Sequence, residues 1–482
     1  MKHILVALSF AALASASVYD VRKFGAAGDK KTLDTAAIQK AIDACTKTGG
    51  MVYFPTGDYL SGTLHLRSNV TLHLSPGATL WGSRNIADYN PRHLLYGVNV
   101  ERFAIEGGGT INGQGDAFFD KDYKPLARPS PLIELVGCRD VRIQDVRILR
   151  APGWTLRPKN CDRVAIRGVT LINDMRAVNS DGIDPDSSRN VIISDCYIEA
   201  GDDCIVVKTT NRNPPPLPSE NITVTNCVLV SSASALKLGT ESHADFRHIV
   251  MSNCVIRGSR TGIALLNKDG ATMEHVSFSN ITMQTAPKWG KGVEWPIVVD
   301  LEKREPNSRV GRIRDVTFSD IQVLTKGRVM ISGMPASPIE RLAFRNVFMR
   351  VNGWEKIEGE RKLRGGTVKG DAANLDYGPV PAAIILGHAR DLTFRDVRVQ
   401  WDAPGDAPER HALWSDHVEG LTLAGFTGRQ AARQGKLPVI YLKDSRDVWV
   451  TGSRALPGAG TFVRVEGGDP ASVVVEGNRG VK

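Results

Sequence analysis

The sequence contains little that would place it in a membrane, a zinc fold or a nucleic-acid complex. Beyond residue 16, no run reaches about 18 uninterrupted apolar residues, so no membrane-spanning helix is expected. The seven cysteines form no Cys-x-x-Cys pair and no Cys/His spacing typical of zinc, and no recognised nucleic-acid module is present. We therefore expect no metal, no cofactor, no membrane and no nucleic acid among its partners.

Aromatic residues are also scarce, at 6%, whereas 47 glycines and 25 prolines among 482 residues indicate many turns. The hydrophobic fraction of 42% is that of a globular protein. The formal net charge of +9 favours an acidic partner, although a generally basic soluble surface explains it equally well.

The first 16 residues read as a secretory signal. Lys2 and His3 precede an apolar run from Ile4 to Ala14, and Ala14-Ser15-Ala16 forms a small-residue cleavage site. We therefore expect a secreted or periplasmic protein, for which acidic polysaccharide is a more accessible partner than nucleic acid. The cysteines recur at fixed offsets from strand anchors, which favours stacked core thiols over a disulfide framework.

A short sequence pattern recurs along the chain. It consists of a polar residue, a stretch in which apolar and polar residues alternate, then Asn or Asp, then a second alternating stretch. The step between its apolar anchors runs from 23 residues (Val141 to Val164) to 31 (Val191 to Ile222), with longer steps where loops are inserted. Period-two alternation predicts strands, and two or three short strands per repeat predict one coil of a solenoid. Because such coils bury their apolar residues only by stacking, we predict an all-β fold, a single-stranded right-handed parallel β-helix. A propeller would need about 40 residues per blade, more than these repeats hold.

The N-terminal stretch departs from this repeat. Helical spacing of apolar residues from Thr35 to Lys47 predicts a capping helix over the open end of the solenoid. Residues 284–312 and 351–381 interrupt the repeat and are predicted to be long surface loops. No linker divides the chain, so we expect one catalytic domain over 17–482, acting as a monomer.

Two acidic clusters, Asn179-Ser180-Asp181 and Gly201-Asp202-Asp203, carry the most specific chemistry. Asp181 and Asp203 lie 22 residues apart, which is about one coil, so we expect them to be neighbours across coils. Adjacent strands lie about 4.8 Å apart, and carboxylates at that spacing cannot all ionise freely. The coil alignment behind this prediction places four apolar residues in one inward column: Ile183, Ile205, Leu236 and Ile263.

Crowded carboxylates suit acid/base chemistry on a glycosidic bond. A carboxyl group whose pKa is raised serves as general acid, while ionised neighbours activate water. A calcium site and a solvated acidic turn are the alternatives.

Over nearly its whole length after residue 16, the chain resembles glycoside hydrolase family 28, the polygalacturonase-like enzymes. The family's Asn-Thr-Asp motif stands here as Asn179-Ser180-Asp181, and its paired-Asp motif is intact as Asp202-Asp203. The resemblance also extends over Asp20–Ala26, Gly107–Gly113, Ala151–Trp154, Gly182–Asp186 and Cys204-Ile205.

This resemblance implies a right-handed β-helix of the pectate-lyase-like class and inverting hydrolysis by single displacement. It implies Asp202 as the proton donor, with Asp181 and Asp203 holding the attacking water. It also implies an acidic plant polysaccharide or oligosaccharide as the substrate.

Two other motifs of the family are not found. Ser232-Ala233-Ser234 stands where Gly-His-Gly is expected, and Ala264-Leu265-Leu266 stands where Arg-Ile-Lys is expected. In polygalacturonases that Arg and Lys help to bind a galacturonate carboxylate, so the departure favours a branch acting on rhamnogalacturonan or another substituted pectin. Candidate substrate-binding residues are Asn179, Lys237, His243, Lys268 and Arg176. For the four basic residues among them, solvated surface is the alternative.

Two other functions are compatible with the same sequence. A polysaccharide lyase shares the β-helix, acts on uronates, and would need an Arg or Lys base and often calcium. A non-catalytic glycan-binding solenoid would share the fold alone. Unsaturated, ultraviolet-absorbing products would indicate the lyase, and binding without turnover would indicate the binding module.

Overall fold

The computed structural model of the protein describes residues 17–290, 292–354, 377–402, 408–432 and 435–480. The predicted secretory signal at 1–16, and residues 355–376 of the predicted loop at 351–381, lie outside this range.

Apart from short 3-10 turns, the described chain forms one helix, α1 (Thr35–Cys45), and a long series of strands. In chain order the strands are β1 Val18–Asp20, β2 Asp29–Leu33, β3 Gly50–Phe54, β4 Gly57–Ser61, β5 Leu64–His65, β6 Val70–Leu74, β7 Ala78–Gly82, β8 Leu95–Val98, β9 Glu101–Glu106, β10 Thr110–Asn112, β11 Ile133–Val136, β12 Arg139–Gln144, β13 Arg147–Leu149, β14 Leu156–Lys159, β15 Asp162–Arg167, β16 Thr170–Ile172, β17 Arg189–Ser194, β18 Tyr197–Ala200, β19 Ile205–Thr209, β20 Ser219–Thr225, β21 Val228–Ser231, β22 Ser234–Ser242, β23 Phe246–Ser259, β24 Thr261–Asn267, β25 Thr272–Thr285, β26 Trp295–Leu301, β27 Arg312–Thr325, β28 Val329–Ser332, β29 Ile339–Val351, β30 Ala382–Trp401, β31 His411–Ala424, β32 Thr427–Gly428, β33 Ile440–Lys443, β34 Arg446–Thr451, β35 Arg454–Ala455, β36 Val463–Glu466 and β37 Val473–Glu476.

These strands pair in parallel and stack as three sheets, one on each side of a coil. The first sheet begins β1–β3–β6–β9–β12 and ends β31–β34–β37. The second begins β2–β4–β7–β10–β13 and ends β32–β35. The third begins β5–β8–β11–β14 and, after an irregular coil, continues β19–β22–β24–β26–β28. The predicted right-handed parallel β-helix is confirmed.

The coil register follows the inward apolar column predicted from the sequence. Ile183 pairs with Ile205, Ile205 with Leu236, and Leu236 with Ile263. One core of buried side chains runs without a break from Val21 to Phe462. Part of it is a stack of aromatic rings on successive coils, Phe278, Phe318, Phe344 and Phe394, with centroids 5.3, 4.6 and 4.6 Å apart.

The polar residue that opens each repeat has a backbone role. Asp140, Asn190 and Asn221 adopt φ of 56°, 55° and 57°, in the left-handed region that Asn and Asp tolerate better than most residues. The same positions ladder between coils, because the Asn221 amide donates to Asn190 Oδ1 at 3.1 Å. The Asn and Asp of the repeat are therefore turn residues.

Helix α1 ends two residues before the predicted boundary. Its apolar face, formed by Ile38, Ala41, Ile42 and Cys45, is fully buried and joins the solenoid core. The predicted capping helix is confirmed.

All seven cysteines are buried and free. The five predicted to stack do so on successive coils, Cys138 against Cys161, and Cys196, Cys227 and Cys254 in a second row, and none of the seven forms a disulfide. Within the described residues, no helix combines the length and apolar character needed to cross a membrane.

Candidate active site

The two acidic clusters meet at the start of the third sheet, on adjacent coils. The Gly182 N–H donates to the Asp203 carbonyl oxygen at 2.9 Å, and the Ile183 N–H donates to that of Cys204 at 2.8 Å. Glycine is required at two positions for this approach. A Cβ at Gly182 would lie 2.4 Å from the Cys204 carbonyl oxygen, and one at Gly201 would lie 2.3 Å from that of Asp174.

Asp203 is held in the ionised state. Its side chain is buried, with Oδ2 2.7 Å from Lys237 Nζ and Oδ1 accepting from the Ser234 N–H at 3.0 Å. Burial alone would raise the pKa of Asp203, but the charges of Lys237 and Lys208 outweigh it and hold the pKa below its ordinary value. This carboxylate is suited to accept a proton or to orient water.

Asp181 is also buried, but its negative charge is balanced less completely than that of Asp203. Its Oδ2 accepts from Lys208 Nζ at 3.0 Å, whereas no described residue forms a hydrogen bond with Oδ1. Burial raises the pKa of Asp181 in spite of Lys208. Asp181 Oδ1 is thus a buried acceptor that the described residues leave unsatisfied, which adds to the cost of ionising this carboxyl group.

Asp202 differs from both neighbours because it is half-buried and has no lysine contact. Its Oδ2 accepts from the Asn179 backbone N–H at 3.2 Å. Burial, followed by the charges of Asp181 and Asp203, raises the pKa of Asp202 to about 7. Below about pH 7 this carboxyl group therefore retains its proton, while the neighbouring Asp203 is ionised.

Sequence reasoning missed a second layer of charge around Lys208. Lys208 Nζ lies 3.9 Å from Asp184 and 3.7 Å from Glu241, and it sits 4.2 Å from the centroid of the Trp154 ring. Burial raises the pKa of Asp184 well above its ordinary value, and the charge of Asp181 raises it further. The outward strand parity that singled out Lys237 also applies to Lys208, so the signal was present in the sequence.

The predicted binding residues separate into two groups. Asn179 and Lys237 contact the carboxylate cluster directly. Arg176 lies on the same loop as Asn179 but forms a two-point ion pair with Asp174, at 3.0 and 2.7 Å.

The other two candidates are paired with carboxylates other than Asp181, Asp202 and Asp203. His243 Nε2 is 3.6 Å from Asp269, which also binds Arg304. Lys268 is 1% exposed and ion-paired with Glu302 at 2.7 Å, so the structure does not present its ammonium to a ligand in solvent.

The positions where Arg and Lys were expected carry a second apolar cluster on the outer face of the third sheet. Ala264 and Leu266 are buried there. They are covered by a set of apolar side chains from later coils, comprising Trp295, Val298, Met330, Tyr377, Ala382 and Ile385. The two positions themselves therefore supply no positive charge, and the described cation next to them on this sheet is Lys237, which pairs with Ala264.

Three neighbouring carboxyl groups with separated pKa values define an acid/base site.

The sequence profile of Glycosyl hydrolases family 28 matches residues 45–360, well over half of the chain, so the chain belongs to this family. A probable polygalacturonase of Vitis vinifera is 33% identical over 272 residues, covering 49% of this chain and 55% of that relative. The chain spans about half the length of the curated relatives it matches.

Solved structures resemble this chain over a larger share of its length. An exopolygalacturonase from Thermotoga maritima gives a TM-score of 0.66 at 20% identity, covering 80% of this chain and 92% of that structure. A family 28 exopolygalacturonase of Yersinia enterocolitica gives a TM-score of 0.66 at 21% identity, covering 86% and 79%. At these identities the likeness supports the fold.

Proposed function

We propose that the protein is a glycosidase that hydrolyses glycosidic bonds in pectin-type acidic polysaccharide, with inversion at the anomeric carbon. The observation that carries this proposal is the separation of pKa values inside one cluster, about 7 at Asp202 and below the ordinary value at Asp203. Membership of a glycosidase family supports it.

In the proposed reaction, Asp202 donates its proton to the glycosidic oxygen as the bond from that oxygen to the anomeric carbon breaks. Asp181 and Asp203 hold the attacking water and accept its proton, and the water oxygen bonds to the anomeric carbon from the opposite face. Lys237 keeps Asp203 ionised, and the positive charge of Lys208 partly offsets the negative charge of an ionised Asp181. The products are an alcohol and a hemiacetal of inverted configuration.

The proposed substrate class is rhamnogalacturonan or another substituted galacturonan. Ala264 and Leu266 occupy the positions of the expected carboxylate-binding pair, and their burial under apolar side chains supports a substrate that does not need that contact.

We further propose a single catalytic domain over 17–482 that is exported to the periplasm or beyond and acts as a monomer. The continuous core from Val21 to Phe462 supports one domain. The signal-like residues 1–16 support export, and a positively charged chain suits an acidic polymer in that compartment.

The direct test is incubation with homogalacturonan, rhamnogalacturonan and xylogalacturonan, followed by sizing of the products and proton magnetic resonance of the first anomer released. We expect new reducing ends, inverted configuration, and faster release from a substituted polymer than from homogalacturonan. Ultraviolet-absorbing unsaturated products would instead identify a lyase. Binding without turnover would identify a glycan-binding module, and either result would refute the proposal.

A further inference from the structure

A cavity of about 430 Å³ lies beside the carboxylate cluster, on the second-sheet side of the Asp174–Ser180 loop. This volume lies toward the lower end of the range for ligand pockets, which suits one or two sugar rings. Its wall combines an aromatic surface, Phe119 and Tyr123, with charged side chains that include Arg150.

The aromatic surface is pre-organised. The rings of Phe119 and Tyr123 stack with centroids 4.8 Å apart and planes 13° apart. The Tyr123 hydroxyl donates to the Asp174 carboxylate, and the Arg176 guanidinium lies 4.2 Å from the Tyr123 ring centroid. The Arg128 guanidinium lies 5.4 Å from the Phe119 ring centroid, so the ring faces are occupied by each other and by guanidinium groups, and the two partly exposed rings offer the cavity their edges.

The charges in the wall are paired with one exception. Asp174 is neutralised by Arg176, which holds the pKa of Asp174 down to about 2, and Asp116 pairs with Arg84 at 2.9 Å. Arg150 is exposed, and its guanidinium makes no hydrogen bond or ion pair to any residue that the structure describes. One positive charge is therefore left for a ligand.

The cavity and the carboxylates share a loop. Ala177 lines the cavity, and two residues later the Asn179 N–H contacts Asp202. Two residues span at most about 7 Å, so a polysaccharide chain lying at Asp202 can extend into the cavity within a few sugar units.

We propose that this cavity is a distal subsite that binds a non-cleaved uronosyl residue of the substrate, with its ring against the exposed edges of Phe119 and Tyr123 and its carboxylate on Arg150. This inference rests on the proposed function, since it places a second sugar of the same polymer. It replaces Arg176 with Arg150 as the arginine that contacts substrate.

The test measures binding of tri- and hexagalacturonate by calorimetry in the Asp202→Asn protein, in which turnover is blocked. Without further change, we expect the hexamer to bind more tightly than the trimer. The gain is the ratio of the hexamer affinity to the trimer affinity. Phe119→Ala removes an aromatic contact and Arg150→Met removes a contact to a charged group, and each should reduce this ratio about tenfold. Arg150→Lys should restore part of it. Arg147→Met, which removes an exposed arginine outside the cavity, is the matched control and should leave the gain intact.

A hexamer with its carboxyl groups reduced to alcohols tests the acidic assignment. Arg150→Met should leave its affinity unchanged, and an equal loss with the reduced hexamer would overturn the uronosyl assignment. An unchanged gain in both Phe119→Ala and Arg150→Met would overturn the subsite itself. Hydrolysis by the wild-type protein is measured separately, so absence of turnover refutes the proposed function while the binding data still decide the subsite.

Discussion

Replacing Asp202 by Asn is expected to remove activity and to stabilise the fold at alkaline pH. The side chain keeps its size but can no longer donate the proton, so the rate of reducing-end release should fall by about 10²–10⁴. The same substitution removes a carboxylate whose ionisation is opposed by burial and by two neighbouring charges.

The size of the stabilisation follows from the pKa of Asp202. Its value of about 7 exceeds the ordinary 3.8 by about three pH units, each equivalent to about 1.4 kcal/mol. The resulting ~4 kcal/mol is an upper limit, because the carboxylate is partly screened by solvent and shares its titration with Asp181 and Asp203, and we expect about 1–3 kcal/mol.

The sign of the pH dependence is fixed by the raised pKa. The folded protein binds the Asp202 proton more tightly than the unfolded chain, so the stabilisation from this group is complete below about pH 4 and is lost as the pH rises through about 7. Asp202→Asn should therefore match the wild type at pH 4 and exceed it at pH 8.

Initial rates and thermal unfolding at both pH values provide the assay. Asp145→Asn, at an exposed turn where φ is 54°, is the matched control and should change neither measurement. Retention of more than about a hundredth of the wild-type rate would refute the acid role. A variant less stable than the wild type at pH 8 would refute the electrostatic argument.

Two further perturbations probe the base and the scaffold. Lys237→Met leaves Asp203 buried without its 2.7 Å partner, so the pKa of Asp203 should rise, the acidic limb of the kcat/KM profile should move to higher pH, and stability near neutral pH should fall by about 3–5 kcal/mol. An acidic limb that does not move would contradict the role given to Lys237. Phe318→Ala opens a cavity inside the aromatic stack and should cost about 3–5 kcal/mol in chemical unfolding, whereas substitution of the exposed Trp449 should cost less than about 1 kcal/mol.

The solenoid could be predicted from the sequence because its repeat serves two physical requirements at once. Alternating apolar residues such as Val191 and Ile193 fill the core, and an Asn such as Asn190 adopts the left-handed turn before them. The column alignment followed directly from that period, and it placed Asp181 beside Asp203.

The charge partners of the site could be predicted only in part. Lys237 was found because it lies on a strand of known parity, and Lys208 follows the same rule. Lys268 and His243 lie at turns after their strands, where parity no longer fixes the direction of a side chain. The cavity beside the site was not predictable, because it depends on how the Phe119–Tyr123 segment packs against the Asp174 loop.

Because the coils stack in parallel, the geometry of the carboxylate site does not depend on how many coils the protein has. Each coil pairs only with the coils on either side, so the geometry of the carboxylates depends on a short block from β14 to β22. Adding or removing a coil elsewhere would lengthen or shorten the rod without changing a distance in that block. A solenoid of this kind can therefore change the length of polymer that it contacts while its three carboxyl groups keep the same geometry.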